Sequence, residues 1–243
     1  MKPFLLLSSR ASDEASAGEA EAIRRLMGLD DAGLVQRRIE REPLGVVDLD
    51  EYSGVLVGGS DFSVSEAHKP DNQVRAEAEL GGLLDEILAR DFPFFGLCYG
   101  VGVLTDHLGG RVSGKYAEAV GAIPVTLTDA GRADPLLDGV PEEFYAFVGH
   151  KEAAEALPDE ALVLATGAVC PVQLFRLGRN VYASQFHPEL DAAGLIARMH
   201  IYVNFGYFRP DEFDELAEAA QAAPADGSQH RLLANFARMF ARE

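Results

Sequence analysis

The chain has 243 residues, 48% of them hydrophobic, and is therefore long enough to bury the core of one large domain. It carries 21 Lys and Arg against 39 Asp and Glu, a formal net charge of −18 that would repel the phosphate backbone of nucleic acids. The sequence shows no apolar run long enough to span a membrane, and its N-terminus lacks the features of a signal peptide. We therefore expect a cytoplasmic protein that binds neither nucleic acid nor membranes.

The first half of the chain alternates short apolar runs with helical patterns. Strands are predicted at 4–9, at 43–47 and, more clearly, at 52–60, which ends in paired glycines. Small and charged residues predict a surface helix over 12–29, and apolar residues at helical spacing predict a second helix over 72–90. This alternation is typical of a doubly wound α/β sheet.

Short β-like runs separated by Gly and Pro turns dominate residues 111–179, at 123–127, 144–148, 161–165 and 172–177. They predict a meandering second half of the sheet. A last strand is predicted over 180–186, and a helix over 192–208 would close the domain.

The last 35 residues read as a helical extension. An acidic helical segment reaches to about Ala223, and a final helix has Leu233, Phe236 and Phe240 at amphipathic spacing. We expect a domain over 1–208 and an extension over 209–243. The final helix is predicted to pack on its own domain, with a partner surface as the alternative.

Glycines bracket Cys98, which follows the hydrophobic run Phe94-Phe95-Gly96-Leu97. A sharp turn from strand to helix needs small residues two positions either side of its apex, because larger ones would collide where the backbone reverses. We interpret this segment as an elbow that presents a nucleophilic thiol, the alternative being a buried structural cysteine. Both cysteines are expected to be free thiols, and Cys170, in an apolar strand, is expected to be inert.

The last predicted strand runs into Gln185-Phe186-His187-Pro188-Glu189. His187 and Glu189 are two residues apart, so on extended backbone their side chains point to the same side. An imidazole oriented by a carboxylate is a common means of converting a thiol into a thiolate nucleophile. We therefore predict a catalytic triad of Cys98, His187 and Glu189, the alternative for His187 being a structural histidine.

A cysteine that attacks a carbonyl also needs N–H donors aimed at the developing oxyanion. An elbow supplies the backbone N–H of the residue after the nucleophile, here Tyr99. Gly58 or Gly59 would supply the second donor if the paired glycines form a loop at the carboxyl edge of the sheet. The alternative for these glycines is a simple turn.

Three segments resemble the signatures of the class I, triad-type glutamine amidotransferases: Val57-Gly58-Gly59-Ser60, Gly96-Leu97-Cys98-Tyr99-Gly100 and Gln185-Phe186-His187-Pro188-Glu189. The resemblance is greatest to stand-alone proteins similar to the amidotransferase half of GMP synthase, and it covers roughly residues 4–208. It implies a flavodoxin-like, mostly parallel sheet. It also implies the roles of nucleophile for Cys98, general base and acid for His187, orienting partner for Glu189, and oxyanion donors for Gly59 and Tyr99.

The resemblance further implies hydrolysis of the glutamine side-chain amide through a γ-glutamyl thioester, with ammonia passed to a separate synthetase. His150, in Gly149-His150-Lys151, would lie beside the amino-acid end of the substrate. The alternatives are a γ-glutamyl peptidase or hydrolase and a non-catalytic interaction module. A homo-oligomer is also considered.

Two residues depart from the family pattern. Gly102 stands where many members have a Gln that helps to hold glutamine, and Ser60 stands where Pro is commoner. The departure at Gly102 predicts weakened or relocated recognition of the substrate but leaves the triad intact. The remaining histidines lack metal-ligand spacing, so neither a metal nor a cofactor is predicted.

Overall fold

The protein is described by a computed structural model that covers residues 2–243. Within this range the strands are β1 (Phe4–Ser9), β2 (Leu34–Arg38), β3 (Gly54–Ser60), β4 (Phe94–Leu97), β5 (Arg111–Ser113), β6 (Glu118–Leu127), β7 (Glu143–His150), β8 (Ala153–Ala156), β9 (Leu162–Gly167), β10 (Leu174–Leu177) and β11 (Val181–Ser184). The α-helices are α1 (Asp13–Leu26), α2 (Asp71–Arg90), α3 (Tyr99–His107), α4 (Asp129–Arg132), α5 (Ala192–Ile201), α6 (Phe213–Ala222) and α7 (Arg231–Phe240).

The central sheet has the strand order β2-β1-β3-β4-β11-β10-β9-β6-β7, and β5 pairs with β8 separately. Neighbours from β2 to β11 pair in parallel, whereas neighbours from β11 to β7 pair antiparallel. Only β10 and β6 of this sheet, as far as residues 2–243 show, therefore run against the other strands. The doubly wound α/β fold with a mostly parallel sheet is confirmed.

Hydrophobic cores lie on both faces of the sheet. Leu5 and Leu7 of β1 face the core that α2 and α3 cover, whereas Phe4 and Leu6 face the core that α1 and α7 cover. Successive side chains of a strand point to opposite faces, so a strand that is covered on both sides is apolar throughout. This explains why β1 and β4 were recognisable in the sequence as unbroken apolar runs.

The predicted strand at 43–47 is wrong. The second strand is β2, and residues 43–47 are irregular, with Gly45 at a φ of +67° and Val46 93% exposed. β2 lies at the edge of the sheet, where one side faces solvent and polar side chains such as Gln36 are tolerated. The mixed composition of β2 therefore concealed it.

The predicted helix over 192–208 is too long. α5 ends at Ile201, and residues 202–209 continue in turns, with Gly206 at a φ of +75°. Tyr202 and Tyr207 from this segment reach the cavity described below. Packing of the aromatic side chains thus replaces the last two turns of the predicted helix.

The strand predicted around Cys170 is also wrong at that residue. Cys170 lies in the loop between β9 and β10. The Gly167 N–H donates to the Cys170 carbonyl at 2.9 Å and holds this loop together. The side chain is buried, as expected of a core residue.

The last helix packs on its own domain, as predicted. Phe236 of α7 is fully buried, with its ring centroid 5.9 Å from that of Phe4 and 5.5 Å from that of Phe95. Because both partners belong to central strands, α7 completes one of the two main cores. None of the helices within residues 2–243 combines the length and the apolar character that crossing a membrane requires.

Candidate active site

Cys98 occupies a strained elbow between β4 and α3. Its φ of +54° and ψ of −87° lie in a region that residues with side chains rarely adopt, and such strain is frequent at reactive nucleophiles. A Cβ on Gly96 would stand 2.9 Å from the carbonyl carbon of Gly100, so the turn excludes a side chain there. The Cys98 N–H donates to the Ser184 carbonyl at 2.7 Å, which ties the elbow to β11.

The Cys98 thiol is largely enclosed by protein, with part of its surface open to the site. Burial raises its pKa to about 12, while the positive charge of Arg10 acts in the opposite direction. Sγ accepts a hydrogen bond from Gln185 Nε2 at 3.8 Å. The resting side chain is therefore a neutral thiol that needs a base before it can attack.

His187 and Glu189 are joined as predicted. His187 Nδ1 lies 2.7 Å from Glu189 Oε1, and the His187 N–H donates to the Phe147 carbonyl at 2.9 Å, which fixes the backbone. Burial lowers the pKa of His187 against the raising effect of Glu189. Burial acts to raise the pKa of Glu189, but the hydrogen bond from His187 and the positive charge of Arg198 keep that pKa low. We assign a neutral imidazole that donates from Nδ1 to the carboxylate and leaves Nε2 basic.

A buried chain of charges continues from the triad to α1. Arg198 Nη1 donates to Glu189 Oε1 at 3.1 Å, and Arg198 Nη2 lies 3.8 Å from Glu19 Oε1. Arg10 Nε donates to the same Glu19 oxygen at 2.8 Å. Two carboxylates and two guanidinium groups thus alternate, which compensates charges that would be costly to bury singly.

The paired glycines do not form the predicted loop. Gly58 and Gly59 lie inside β3, at a shift in register where Leu7 opposes Val57 but Ser9 opposes Ser60. The extra residue makes a β-bulge, a distortion that often re-aims groups next to active sites. The Gly59 N–H donates to Glu19 Oε1 at 3.1 Å, so in this structure it is engaged outside the predicted oxyanion site.

Tyr99 is the first residue of α3, immediately after the nucleophile. The first N–H groups of a helix have no partner within it, and the helix dipole places partial positive charge there. The phenol of Tyr99 donates to Glu77 Oε1 at 3.3 Å and is thereby held away from the elbow. This arrangement is compatible with the predicted donor role of its backbone N–H.

Cys98 lies where two cavities meet. The first, here called the arginine cavity, spans about 480 Å³ including space open to solvent, and it is lined in part by Arg10, Cys98, His187, Arg198, Tyr202 and Tyr207. The second, here called the Glu152 cavity, spans about 390 Å³ including space open to solvent, and it is lined in part by Cys98, Tyr99, Gly102, His150, Glu152 and Gln185. The nucleophile and the basic histidine thus face the same space.

His150 lies in the wall of the Glu152 cavity, but both of its ring nitrogens are engaged. Nε2 lies 2.9 Å from Glu118 Oε2 and Nδ1 lies 3.0 Å from the Glu152 carbonyl oxygen. Gln173 Nε2 donates to the same Glu118 oxygen at 2.6 Å. In this structure the imidazole positions the segment that carries Glu152, and its predicted contact with substrate remains a prediction.

Glu152 is a site residue that the sequence reasoning missed. A Cβ on Gly102 would stand 3.4 Å from Glu152 Oε1 and 3.0 Å from Val64 Cγ2, so the carboxylate lies beside the position from which the family's Gln would extend. Glu152 Oε1 accepts from the Val64 N–H at 2.6 Å and Oε2 from the Ser65 N–H at 2.8 Å. Its place directly after Gly149-His150-Lys151 was the available signal.

Arg10, Glu19 and Arg198 were also missed. Arg10 follows the buried β1, and a charged residue at the carboxyl end of a central parallel strand is a recognisable signal. Glu19 lies on the buried face of α1 and Arg198 on α5. Their meeting depends on the packing of these two helices, which the sequence pattern does not reveal.

Together, the doubly wound sheet and a cysteine elbow facing a histidine–carboxylate pair define an α/β protein with a thiol nucleophile. Residues 47–194, more than half of the chain, match the family described as Glutamine amidotransferase class-I. The chain belongs to this family, which confirms the resemblance seen in its motifs.

Individual relatives agree with this membership. A glutamine-hydrolyzing GMP synthase of Bacillus mycoides is 31% identical over 107 residues, which cover 44% of this chain and 20% of that protein. A glutamine amidotransferase from Thermotoga maritima has a similar structure, with a TM-score of 0.78, 22% identity and full coverage of both chains. A glutamine amidotransferase from Methylobacillus flagellatus has a TM-score of 0.74 and 19% identity, covering 100% of this chain and 97% of that one.

The chain spans about a fifth to a third of the length of the curated relatives it matches. The two structural neighbours are 22% and 19% identical to this chain, so they show a shared fold and do not establish its activity.

Proposed function

We propose that this protein hydrolyses the side-chain amide of glutamine to glutamate and ammonia. The observation that carries the proposal is the strained Cys98 elbow, which faces the same cavity as His187 while His187 Nδ1 is bound to Glu189. Family membership supports the reaction class. The substrate's amino-acid end would occupy the Glu152 cavity, beside the segment that His150 holds in place.

The reaction follows from the protonation states of the site. His187 Nε2 takes the thiol proton as Cys98 Sγ attacks the amide carbon, and the carbonyl electron pair moves onto oxygen. The pair then returns, the C–N bond breaks, and ammonia leaves with the proton that His187 gives back. Water, activated by the same imidazole, hydrolyses the γ-glutamyl thioester to glutamate and regenerates the thiol.

Ammonia is proposed to pass to a separate synthetase. The similarity to part of glutamine-hydrolyzing GMP synthases supports a partner that activates an acceptor. Two cysteines without a disulfide agree with a cytoplasmic location.

Purified protein incubated with glutamine is expected to release equimolar glutamate and ammonia. Cys98→Ala should lower kcat by more than about 1,000-fold because the covalent route is lost. Cys170→Ala is the matched control, since that thiol is buried away from both cavities, and should retain activity. A wild-type protein that makes no glutamate, alone or with candidate synthetases, would contradict the proposal.

A γ-glutamyl hydrolase acting on larger amides is the second candidate. The arginine cavity lies on the His187 side of the thiol and is partly open to solvent, which leaves a path for a leaving group larger than ammonia. A comparison of kcat/KM for glutamine and for γ-glutamyl peptides separates the two reactions. A preference for the peptides would favour the hydrolase.

A non-catalytic interaction module is the remaining alternative. A diazoketone analogue of glutamine alkylates a competent nucleophile with one-to-one stoichiometry. Failure to label Cys98, with Cys98→Ala as the blank, would favour the interaction module.

A further inference from the structure

The oxyanion site is incomplete if it depends on backbone donors alone. The Gly59 N–H, the expected second donor, is engaged by Glu19 Oε1 at 3.1 Å. This leaves the Tyr99 N–H as the backbone donor that the elbow itself provides. One donor removed from such a site commonly costs two to three orders of magnitude in kcat, about 3–4 kcal/mol, so a substitute donor is to be expected in an active enzyme.

Arg10 lies beside Gly59, whose N–H is the donor to be replaced. A Cβ on Gly59 would overlap Arg10 Nη2 and stand 3.3 Å from His187 Cε1, so the guanidinium and the imidazole flank the same point. Arg10 lines the arginine cavity together with Cys98 and His187. Its side chain is only 5% exposed.

The hydrogen bonds of Arg10 leave one end of its guanidinium free. Nε donates to Glu19 Oε1 at 2.8 Å and Nη1 donates to the Tyr202 hydroxyl at 3.4 Å. None of residues 2–243 accepts a hydrogen bond from Nη2. A buried guanidinium with free N–H groups beside a cavity is suited to bind a negatively charged oxygen.

Neutralising Glu19 does not account for this geometry. An arginine that serves only as a counter-ion favours the two-pronged pairing in which both carboxylate oxygens accept. Here Glu19 Oε2 has no hydrogen-bond partner among residues 2–243, and Arg10 meets Glu19 through Nε alone. Nη2 is thus available to a ligand.

The charge of Arg10 persists in this setting. Burial alone would lower its pKa, but the negative charge of Glu19, together with Tyr202 and the hydrogen bonds to both residues, outweighs burial and raises the pKa above the ordinary arginine value. The positive charge also counteracts the raised pKa of Cys98. Arg10 is therefore a permanent cation next to the reacting atoms.

We propose that Arg10 is a catalytic residue whose Nη2 group donates to the substrate carbonyl oxygen as it becomes an oxyanion, together with the Tyr99 N–H. The proposal rests on the proposed function. As the Cys98 Sγ–carbon bond forms, the carbonyl π pair moves to oxygen between these donors while the thiol proton passes to His187. When the pair returns, the C–N bond breaks and the oxygen loses its charge, so Arg10 binds most tightly at the intermediate.

The first test compares wild type with Arg10→Ala and Arg10→Lys. For Arg10→Ala we expect a loss in kcat of about 100-fold or more, with KM for glutamine changed by less than about threefold. Millimolar guanidinium should restore part of the lost kcat in Arg10→Ala by filling the vacated site. Arg10→Lys, which keeps the charge opposite Glu19, should fold and lose at least about tenfold, since an ammonium cannot serve Glu19 and the oxyanion together.

A second readout separates catalysis from structural support. The aldehyde analogue of glutamine forms a tetrahedral adduct with an oxyanion, so its inhibition constant should rise in parallel with the loss of kcat. Arg132→Gln, which removes a surface arginine paired with Glu142, is the matched control and should leave both quantities unchanged.

The outcomes distinguish the two proposals. No glutamate from the wild type overturns the proposed function itself. An active wild type whose folded Arg10→Ala or Arg10→Lys variant keeps kcat within about threefold overturns only the role of Arg10. Arg10 would be structural if Arg10→Ala lowered both kcat and the melting temperature, guanidinium restored no activity, and the affinity for the aldehyde stayed unchanged.

Discussion

Cys98 and His187 form a neutral pair at rest. Burial disfavours the charged form of each, raising the pKa of Cys98 to about 12 and lowering the pKa of His187. Many reactive cysteines instead rest as thiolates beside a protonated imidazole. Proton transfer in this protein is therefore expected to accompany the attack on substrate.

The alkylation of Cys98 by iodoacetamide tests this state. In a Cys170→Ala background, the rate should rise with pH without levelling off near the ordinary cysteine pKa of about 8.5, because the folded-state pKa is higher. The same measurement on the unfolded chain supplies the control. A rate that is already constant between about pH 6 and about pH 8 would instead reveal a resting thiolate.

Glu152 is expected to recognise the ammonium end of glutamine, in place of the Gln that the family has at position 102. Glu152→Gln keeps the size and removes the charge, so KM should rise by about tenfold or more while kcat changes little, as for the loss of one charge-assisted hydrogen bond. Glu155→Gln, at a nearby half-buried carboxylate paired with Arg111, is the control. Unchanged KM in the Glu152 variant would place the ammonium elsewhere.

The candidate triad residues Cys98, His187 and Glu189 could be selected from the sequence because each lies in a short motif whose geometry is local. The position of Arg10 directly after β1 was a signal, but its approach to Gly59 was not predictable because tertiary packing produces it. The contact between Glu19 of α1 and the Gly59 N–H escaped prediction for the same reason. Glu152 shows the same limit, because its carboxylate reaches Val64 across 88 positions of sequence.

At the scale of elements, strands covered on both faces were predictable, whereas the edge strand β2 and the separate pair β5 and β8 were not. β1, β3 and β4 are continuous apolar runs, whereas β2 is an edge strand of mixed polarity. The end of α5 at Ile201 also escaped prediction. Its cause is the packing of aromatic residues over the site, a tertiary effect that overrides the local helical pattern.

The elbow makes a sharp prediction about glycine. Gly96→Ala should destabilise the fold by about 1–3 kcal/mol and reduce kcat, because the new methyl would meet the backbone of Gly100, which cannot move aside. Gly82→Ala, in α2 with no atom within 4 Å of the new methyl, should instead stabilise by about 0.5–1 kcal/mol. Urea titrations of both variants provide the measurement, and equal effects would contradict the prediction.

The final helix, α7, leads to a second prediction about stability. Phe236→Ala is expected to cost about 3–5 kcal/mol of unfolding free energy, since it empties a fully buried site between Phe4 and Phe95. Phe205→Ala, at a ring that is 51% exposed, should cost far less. A small loss at Phe236 would mean that residues 209–243 form an extension which the domain at 1–208 does not need.

The whole molecule carries a net charge of −18, and two of its arginines, Arg10 and Arg198, lie in the buried network. Like charges at the surface repel each other, and added salt screens that repulsion. The melting temperature should therefore rise between about 10 mM and about 150 mM sodium chloride, where the Debye length falls from about 30 Å to about 8 Å. Sucrose of matched osmolality is the control, and a fall with salt would show that attractive ion pairs dominate.

The burial that keeps Cys98 protonated has a consequence beyond the timing of its chemistry. Peroxide oxidises thiolates to sulfenic and then sulfinic acids and reacts slowly with neutral thiols. Under the proposed function, Cys98 would lose its proton only when substrate arrives and would be exposed to this damage only briefly. We therefore expect the resting thiol to react slowly with peroxide.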